Sequence, residues 1–512
     1  MISAKRFLIL LLALLLVIFS LLACKGDTDE PEDPNTDDEF SGSIAGDPEN
    51  NTGSGTESAP PPLEVGDPNA TVEIRTADDL KKIAQNGTYI LMNDIDMTNI
   101  GFAPIGNYQY PFKGTFKSSD GECFAIKNLK TSVNTSTVGP TPTYTYVYAG
   151  FFGATKDATI SNIIIENVEI SASSSDENCF VTAGAIAGYT INTTVSDCST
   201  SGSIISHSKL FNAYAGGICG ILEGGTVNNC ITNLALEVKD SKNRAVTGGI
   251  AALALISPSV SNCVVKGSVK SVTNGGVAYA GGIVGNTRKA SYTVCRSEAT
   301  VYSEALELSA TEALATAAYA GGIAAVSSAQ NETEKTSFTR CYAIDRSVTA
   351  VGNDSAAYAG GIAGYITYTD FTHCYSLCDV TLKARAKTSF ASSGFAYIAT
   401  SASDTSAENY VADFNIKGCF VYGDLIVEHG RSTHLLLGTL YAHISNESSK
   451  SNVKTSFYNL NAVYSLNGDE NPKTLSKNGS SRGSTYFTEA DINQFGWTAS
   501  EWETVDGYLY AK

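Results

Sequence analysis

The sequence predicts an all-β protein, a parallel β-solenoid of about nine coils with N- and C-terminal caps. Three observations predict it. The hexapeptide Ala-Tyr-Ala-Gly-Gly-Ile occurs at residues 213–218, 278–283, 318–323 and 357–362. The glycines that align on it, Gly150, Gly184, Gly216, Gly248, Gly281, Gly321 and Gly360, are spaced by 34, 32, 32, 33, 40 and 39 residues. Seven cysteines, Cys198, Cys230, Cys263, Cys295, Cys341, Cys374 and Cys419, fall in one slot of that same repeat.

From the N-terminus, Lys5 and Arg6 precede an apolar run from Leu8 to Leu22, the layout of a signal peptide. The run ends Leu21-Leu22-Ala23-Cys24, which resembles a bacterial lipoprotein box and makes Cys24 the expected lipidation site. The alternative is an uncleaved membrane anchor, for which the run is short. Both place the bulk of the chain outside the cytoplasm, tethered to a membrane. The expected location is the bacterial cell envelope, lipid-anchored and surface exposed.

Residues 25–67 hold thirteen acidic residues against the single Lys25, so this segment carries −12 of the net charge of −18. It has too little apolar surface to offset chain entropy and is expected to be a disordered linker. Pro60-Pro61-Pro62 and self-repulsion should extend it. Without the linker the charge is modest, and no basic patch points to nucleic acid.

Residues 68–147 read as a leader and cap, 148–463 as the repeats and 464–512 as a C-terminal segment and cap. Helical windows are confined to the short stretches 76–85 and 487–496. Each repeat reads as a small-residue strand, a polar turn, a second strand ending near Cys and a third alternating strand. One unit cannot bury its own apolar face. Stacking at ~4.8 Å per coil buries a continuous column and makes a rod on the order of 40 Å long. The paired glycines allow close backbone approach or φ > 0. Tyr148, Tyr214, Tyr279, Tyr319 and Tyr358 share a slot and should stack. A phosphate-binding loop is excluded, because no GxxxxGK[ST] and no strand–loop–helix context surrounds the glycines.

In an exported protein a disulfide framework is the usual reading of many cysteines. Parallel side chains in one slot favour instead a reduced internal ladder of small buried hydrophobes. Cys374 and Cys378, with His373, form only one C-x3-C pair, so no metal is expected. His429, His434 and His443 match no standard ligand spacing. No cofactor is implied.

The phrase YAGGIVG (279–285), with the V-x-N-C-x-x-x-G-x-V pattern at 260–269, resembles the GLUG repeat of bacterial surface and adhesin-like proteins. The leader words Asp94-Ile95-Asp96, Pro104-Ile105-Gly106 and Phe112-Lys113-Gly114 resemble what precedes such repeats. The resemblance covers about residues 72–430 and fits poorly over 394–463. It implies a right-handed parallel β-solenoid at the cell surface and no defined reaction.

Asp94 and Asp96 form the best acid cluster, with backbone capping of the leader as the plainer role. The acids of the repeats share no slot, and no G-x-S-x-G elbow is present. Tyr108, Tyr110, Phe112, Tyr144 and Tyr146 put rings in Pro-bounded loops, suited to glycan or protein contact or to covering the first coil. The insertions 304–317 and 326–337 are further contact candidates. Trp497 and Trp502 read as a plug for the last coil. The expected function is a non-catalytic, monomeric surface lipoprotein that binds glycan or protein as an adhesin-like module. The alternatives are a carbohydrate-active β-helix enzyme, needing converging acids, and an envelope scaffold.

Overall fold

The computed structural model describes residues 62–141, 143–306, most of 316–399, 414–430 and 435–444, and short pieces of 453–511. Cys24, the lipobox, most of the acidic segment, Trp497 and the window 487–496 lie outside the described residues.

Each coil lays down four strands. In one coil these are Ala213–Gly216, Cys219–Glu223, Thr226–Asn228 and Ile231–Ser241. Like strands of successive coils pair in parallel and build four sheets along the axis. Among the described residues, the first, second and third sheets hold eleven, nine and twelve strands. The register is repeat on repeat: Gly216 pairs with Gly248, Gly248 with Gly281, Gly281 with Gly321 and Gly321 with Gly360. The chain is therefore a parallel β-solenoid, and its nine-stranded second sheet matches the expected number of coils.

The words of the repeat map onto this path. The alanines of Ala-Tyr-Ala face the interior, where Ala213, Ala215, Ala278 and Ala280 are fully buried. The isoleucine also points in: Ile218, Ile250, Ile283, Ile323 and Ile362 are all inaccessible, and each such burial is worth ~1.5–3 kcal/mol. The two glycines make the hinge between the first and second sheets. A Cβ on Gly216 would fall under 3.0 Å from the carbonyl of Cys219, three residues on. A Cβ on Gly217 would strike the Gly249 carbonyl of the next coil. Close approach, not positive φ, requires glycine here.

A second device closes the corner between the third and fourth strands. The residue before each column cysteine is left-handed: Asp197, Asn229, Asn262, Val294, Arg340, His373 and Gly418 have φ of 56, 52, 54, 54, 54, 55 and 61°, and Asn162, before Ile163 in the equivalent slot, has 54°. Asparagine, aspartate and glycine tolerate this region, which explains the Asn-Cys words of the sequence.

The long fourth strand serves two layers. Its first half faces the hinge, where Thr200 and Thr232 hydroxyls donate to the carbonyls of Gly217 and Gly249. Its second half lies under the first sheet, with Ser206 donating to the Val181 carbonyl and Ser303 to that of Ala278. One apolar core runs through this interior.

The leader adds the strands Thr71–Ile74, Thr88–Leu91 and Thr115–Ser118 to the edge of the third sheet. The helix expected over 76–85 is only Ala77–Leu80, opened by a capping box between Thr76 and Asp79. It stops early because the Ala84 amide donates to the Tyr89 hydroxyl and the Gln85 amide to the Glu64 carbonyl. At the other end, the described residues of the poorly matching stretch keep the same strand pairing. Phe395–Ile398 pairs with Tyr441–Ile444, and Leu425–His429 with Tyr464–Leu466. The motif words decay there, but apolar residues still occupy the inward slots.

Candidate functional site

The seven-cysteine column is interior. All seven are buried free thiols, and each Sγ donates to the carbonyl two residues back, from 3.1 Å for Cys198 to Ser196 to 3.7 Å for Cys419 to Lys417. Burial holds the Cys198, Cys341 and Cys374 thiols well above their usual range and pushes Cys219 up to about 12. Nucleophilic or ligating sulfur requires thiolate, which burial opposes at these four positions. Among the described residues no group of three His, Cys, Asp or Glu side chains converges as a metal site. His429 lies in the fourth sheet and His443 in the second, and His434 is outside the described residues.

The leader acids are structural. Asp94 accepts from the Ala125 amide and pairs with Lys127 at 2.7 Å. Asp96 accepts from the Thr98 amide and hydroxyl and from Asn128 Nδ2, and these bonds hold its carboxyl at about 2.

The aromatic candidates divide. Phe112 is wholly interior, stacked on Phe152 at 4.6 Å, and Tyr146 is 2% exposed. Neither offers a contact surface. Tyr108, Tyr110 and Tyr144 are partly exposed. Tyr108 meets the Tyr189 ring edge-on at 5.9 Å, and Tyr144 lies flat on Phe211 at 5.6 Å.

These rings border a feature that the sequence did not disclose. Where the first and second sheets fold together at the glycine hinge, their outward faces line a concave corner filled by a second apolar cluster. Tyr148, Tyr214, Tyr279, Tyr319 and Tyr358 enter it from the first sheet, and Tyr189, Ile221, Leu253, Val326 and Tyr365 from the second. The tyrosine slot is thus a buried seam, but not the continuous stack expected: Tyr319 stacks on Tyr358 at 4.4 Å and meets Tyr279 edge-on at 5.2 Å, while Thr182 stands between Tyr148 and Tyr214 and Val246 between Tyr214 and Tyr279.

Polar groups interrupt the seam near its N-terminal end. Glu223 is 8% exposed and accepts from the Tyr189 hydroxyl at 2.6 Å. Burial raises its carboxyl above the ordinary range, against the pull of Tyr189 and Lys156. Burial, aided by the Glu223 charge, also raises the Tyr108 hydroxyl. Asn212, the residue before the first-sheet strand Ala213–Gly216, and Arg244, which opens the next strand of that sheet, are also buried. No repeated acid marks Glu223 in the sequence, and its partner Tyr189 is 34 residues away. Only the period of the repeat would have placed them in adjacent coils.

Two other features are apolar. A cavity of about 440 Å³ under the leader is lined by Leu80, Ile83, Met97, Ile100, Phe102 and Ile105. Its one charged wall residue, Lys81, is paired with Asp78 at 2.7 Å. Trp502 is buried against Tyr342 and Tyr375, at 6.0 and 5.8 Å. These rings lie in coils before the last, so Trp502 covers the flank of the fourth sheet and does not plug the final coil.

A scan against protein-family models finds no match, and neither does a search of curated proteins. Among solved structures, the chain is similar to a candidate immunoglobulin A1 protease from Bacteroides ovatus. That match has 15% identity and a TM-score of 0.31, covering 86% of this chain and 91% of the other. It is also similar to an IgA1 protease at 15% identity and a TM-score of 0.34, covering 83% of this chain and 24% of the other. At this level neither protein's activity transfers to this chain.

Proposed function

We propose that this chain is a non-catalytic cell-surface lipoprotein of the GLUG-repeat kind, anchored through Cys24. In this reading it binds glycan or protein ligands through the N-terminal end of its solenoid. The observation that carries the reading is the set of partly exposed rings, Tyr108, Tyr110 and Tyr144, set on a rigid scaffold beside a corner containing buried polar groups. Binding residues held at the edge of a rigid frame lose little entropy on association. The acids weigh against the enzyme reading. Asp94 and Asp96 are occupied by the backbone and side chains of the leader. Glycoside hydrolysis uses two carboxyl groups, whereas the charged group acting on Glu223 is Lys156.

The test is a binding screen of the full chain against a glycan array and a panel of extracellular-matrix proteins, with glycan release measured in parallel. Saturable binding without release is the expected result. Release of product from a polysaccharide, abolished by replacing Glu223, would replace this reading with the enzymatic one.

A further inference from the structure

We propose that the concave corner at the level of Asn212 and Glu223 is a sugar subsite, which takes a pyranose residue of a glycan. The proposal rests on the reading of the chain as a binding module and adds the ligand class and the residues.

Asn212 carries the argument furthest. It is 1% exposed, and neither its Oδ1 nor its Nδ2 has a hydrogen-bond partner among the described residues. A buried amide left unpaired is a standing cost to the fold. The architecture does not demand it. In the same slot the preceding coil places Phe180, and after Arg244 the slot turns apolar again with Val277 and Ala317. Glu223 repeats the pattern on the second sheet. It belongs to the same coil as Asn212, and its slot neighbours are Ile191 and Leu255. Two adjoining sheets thus each give up an apolar seam residue for a polar one in a single coil.

The chemistry that answers these groups is a sugar's. A hydroxyl both donates and accepts, which matches an amide with both functions open. Another hydroxyl donates to the Glu223 carboxylate, and the C–H face of a pyranose packs on an aromatic ring. The partly exposed rings of Tyr108 and Tyr144 stand at the two sides of this region, on Tyr189 and on Phe211 next to Asn212. Tyr144 has to turn off Phe211 to admit the ligand to Asn212. A peptide strand is the weaker fit. Every strand lining this coil is hydrogen-bonded to the coil on either side, so no sheet edge is open there for strand addition.

The experiment is calorimetric titration of the full chain with the best oligosaccharide from the array, repeated with Asn212→Leu, Glu223→Gln and Tyr144→Ala. Far-UV circular dichroism and melting temperature are recorded for each variant. Asn212→Leu keeps the shape and removes the unpaired amide. It is expected to raise the melting temperature and lower affinity at least tenfold. Glu223→Gln and Tyr144→Ala are expected to lose affinity with the fold retained. If Asn212→Leu lowers the melting temperature, the amide is structural and the assignment fails. If the wild type binds glycan and these variants bind it equally well, the subsite is wrong while the binding-module reading stands. Binding of protein alone overturns the sugar, and binding of neither ligand overturns both.

Discussion

Replacing Gly281 by alanine should break the hinge. A Cβ there would lie under 3.0 Å from the Val284 carbonyl and 2.7 Å from the Ala325 amide nitrogen, both backbone atoms. Neither can yield locally. Gly281 is paired to Gly248 and Gly321, and Val284 to Ala251 and Ala324, so a shift must spread over three coils. Overpacking ordinarily costs about 1–3 kcal/mol, and with backbone on both sides the expected loss is at the upper end, about 3 kcal/mol. Gly275→Ala is the control. Its Cβ would meet only the Lys242 carbonyl at 3.4 Å, an ordinary contact. The change should be neutral or stabilising by about 0.4–1 kcal/mol, through the unfolded chain. Urea denaturation followed by circular dichroism gives both numbers. Hydrogen exchange should locate the Gly281→Ala loss in the coils around residue 281, because a solenoid's stability is carried by neighbouring units. A Gly281→Ala protein within about 0.5 kcal/mol of wild type, or equal losses in both variants, refutes the steric account of the glycine pair.

Other outcomes follow from the same geometry. Val294 holds the left-handed corner with φ 54°, and Val294→Asn should stabilise by about 1 kcal/mol; a loss in the same denaturation assay counts against the corner. Of the eleven described cysteines only Cys123 is exposed, so a maleimide should label it quickly in the native protein and reach the other ten only in denaturant. Fast native labelling of Cys263, or thiols that stay blocked in denaturant, contradicts the reduced buried column. The Glu223 carboxyl is raised by burial, so the native state keeps a proton that the unfolded chain has already released. Its contribution to stability is therefore full below the ordinary carboxylate range and is lost as pH rises through the raised value. Glu223→Gln should flatten that part of the melting-temperature profile, and an unchanged pH slope refutes the assignment.

Much of the solenoid was legible because its determinants recur. An inward residue is inward in every coil, so alanine, isoleucine and cysteine repeat in phase with the chain's own path. The early end of the leader helix was not legible, because it depends on the Tyr89 hydroxyl capturing the Ala84 amide. For the aromatic candidates, local sequence cannot tell Phe112, which is interior, from Tyr108, which is partly exposed. Exposure depends on which coil lies above. Trp502 was visible as a covering residue for the last coil, but its contact with Tyr342 and Tyr375, rings of earlier coils, shows only in the tertiary structure.

By itself the sequence determined the repeat, its period and which slots face inward, since burial against an identical neighbour selects the same residue each time. The tertiary structure alone decided that the first and second sheets fold back on each other and turn the tyrosine slot into a buried seam. That outcome rests on the angle at the glycine hinge, which no side-chain pattern encodes. For the same reason it alone set Asn212 and Glu223 at the outer ends of two successive strands of one coil: residues that occur once carry no period, and only the closed coil shows what each of them meets.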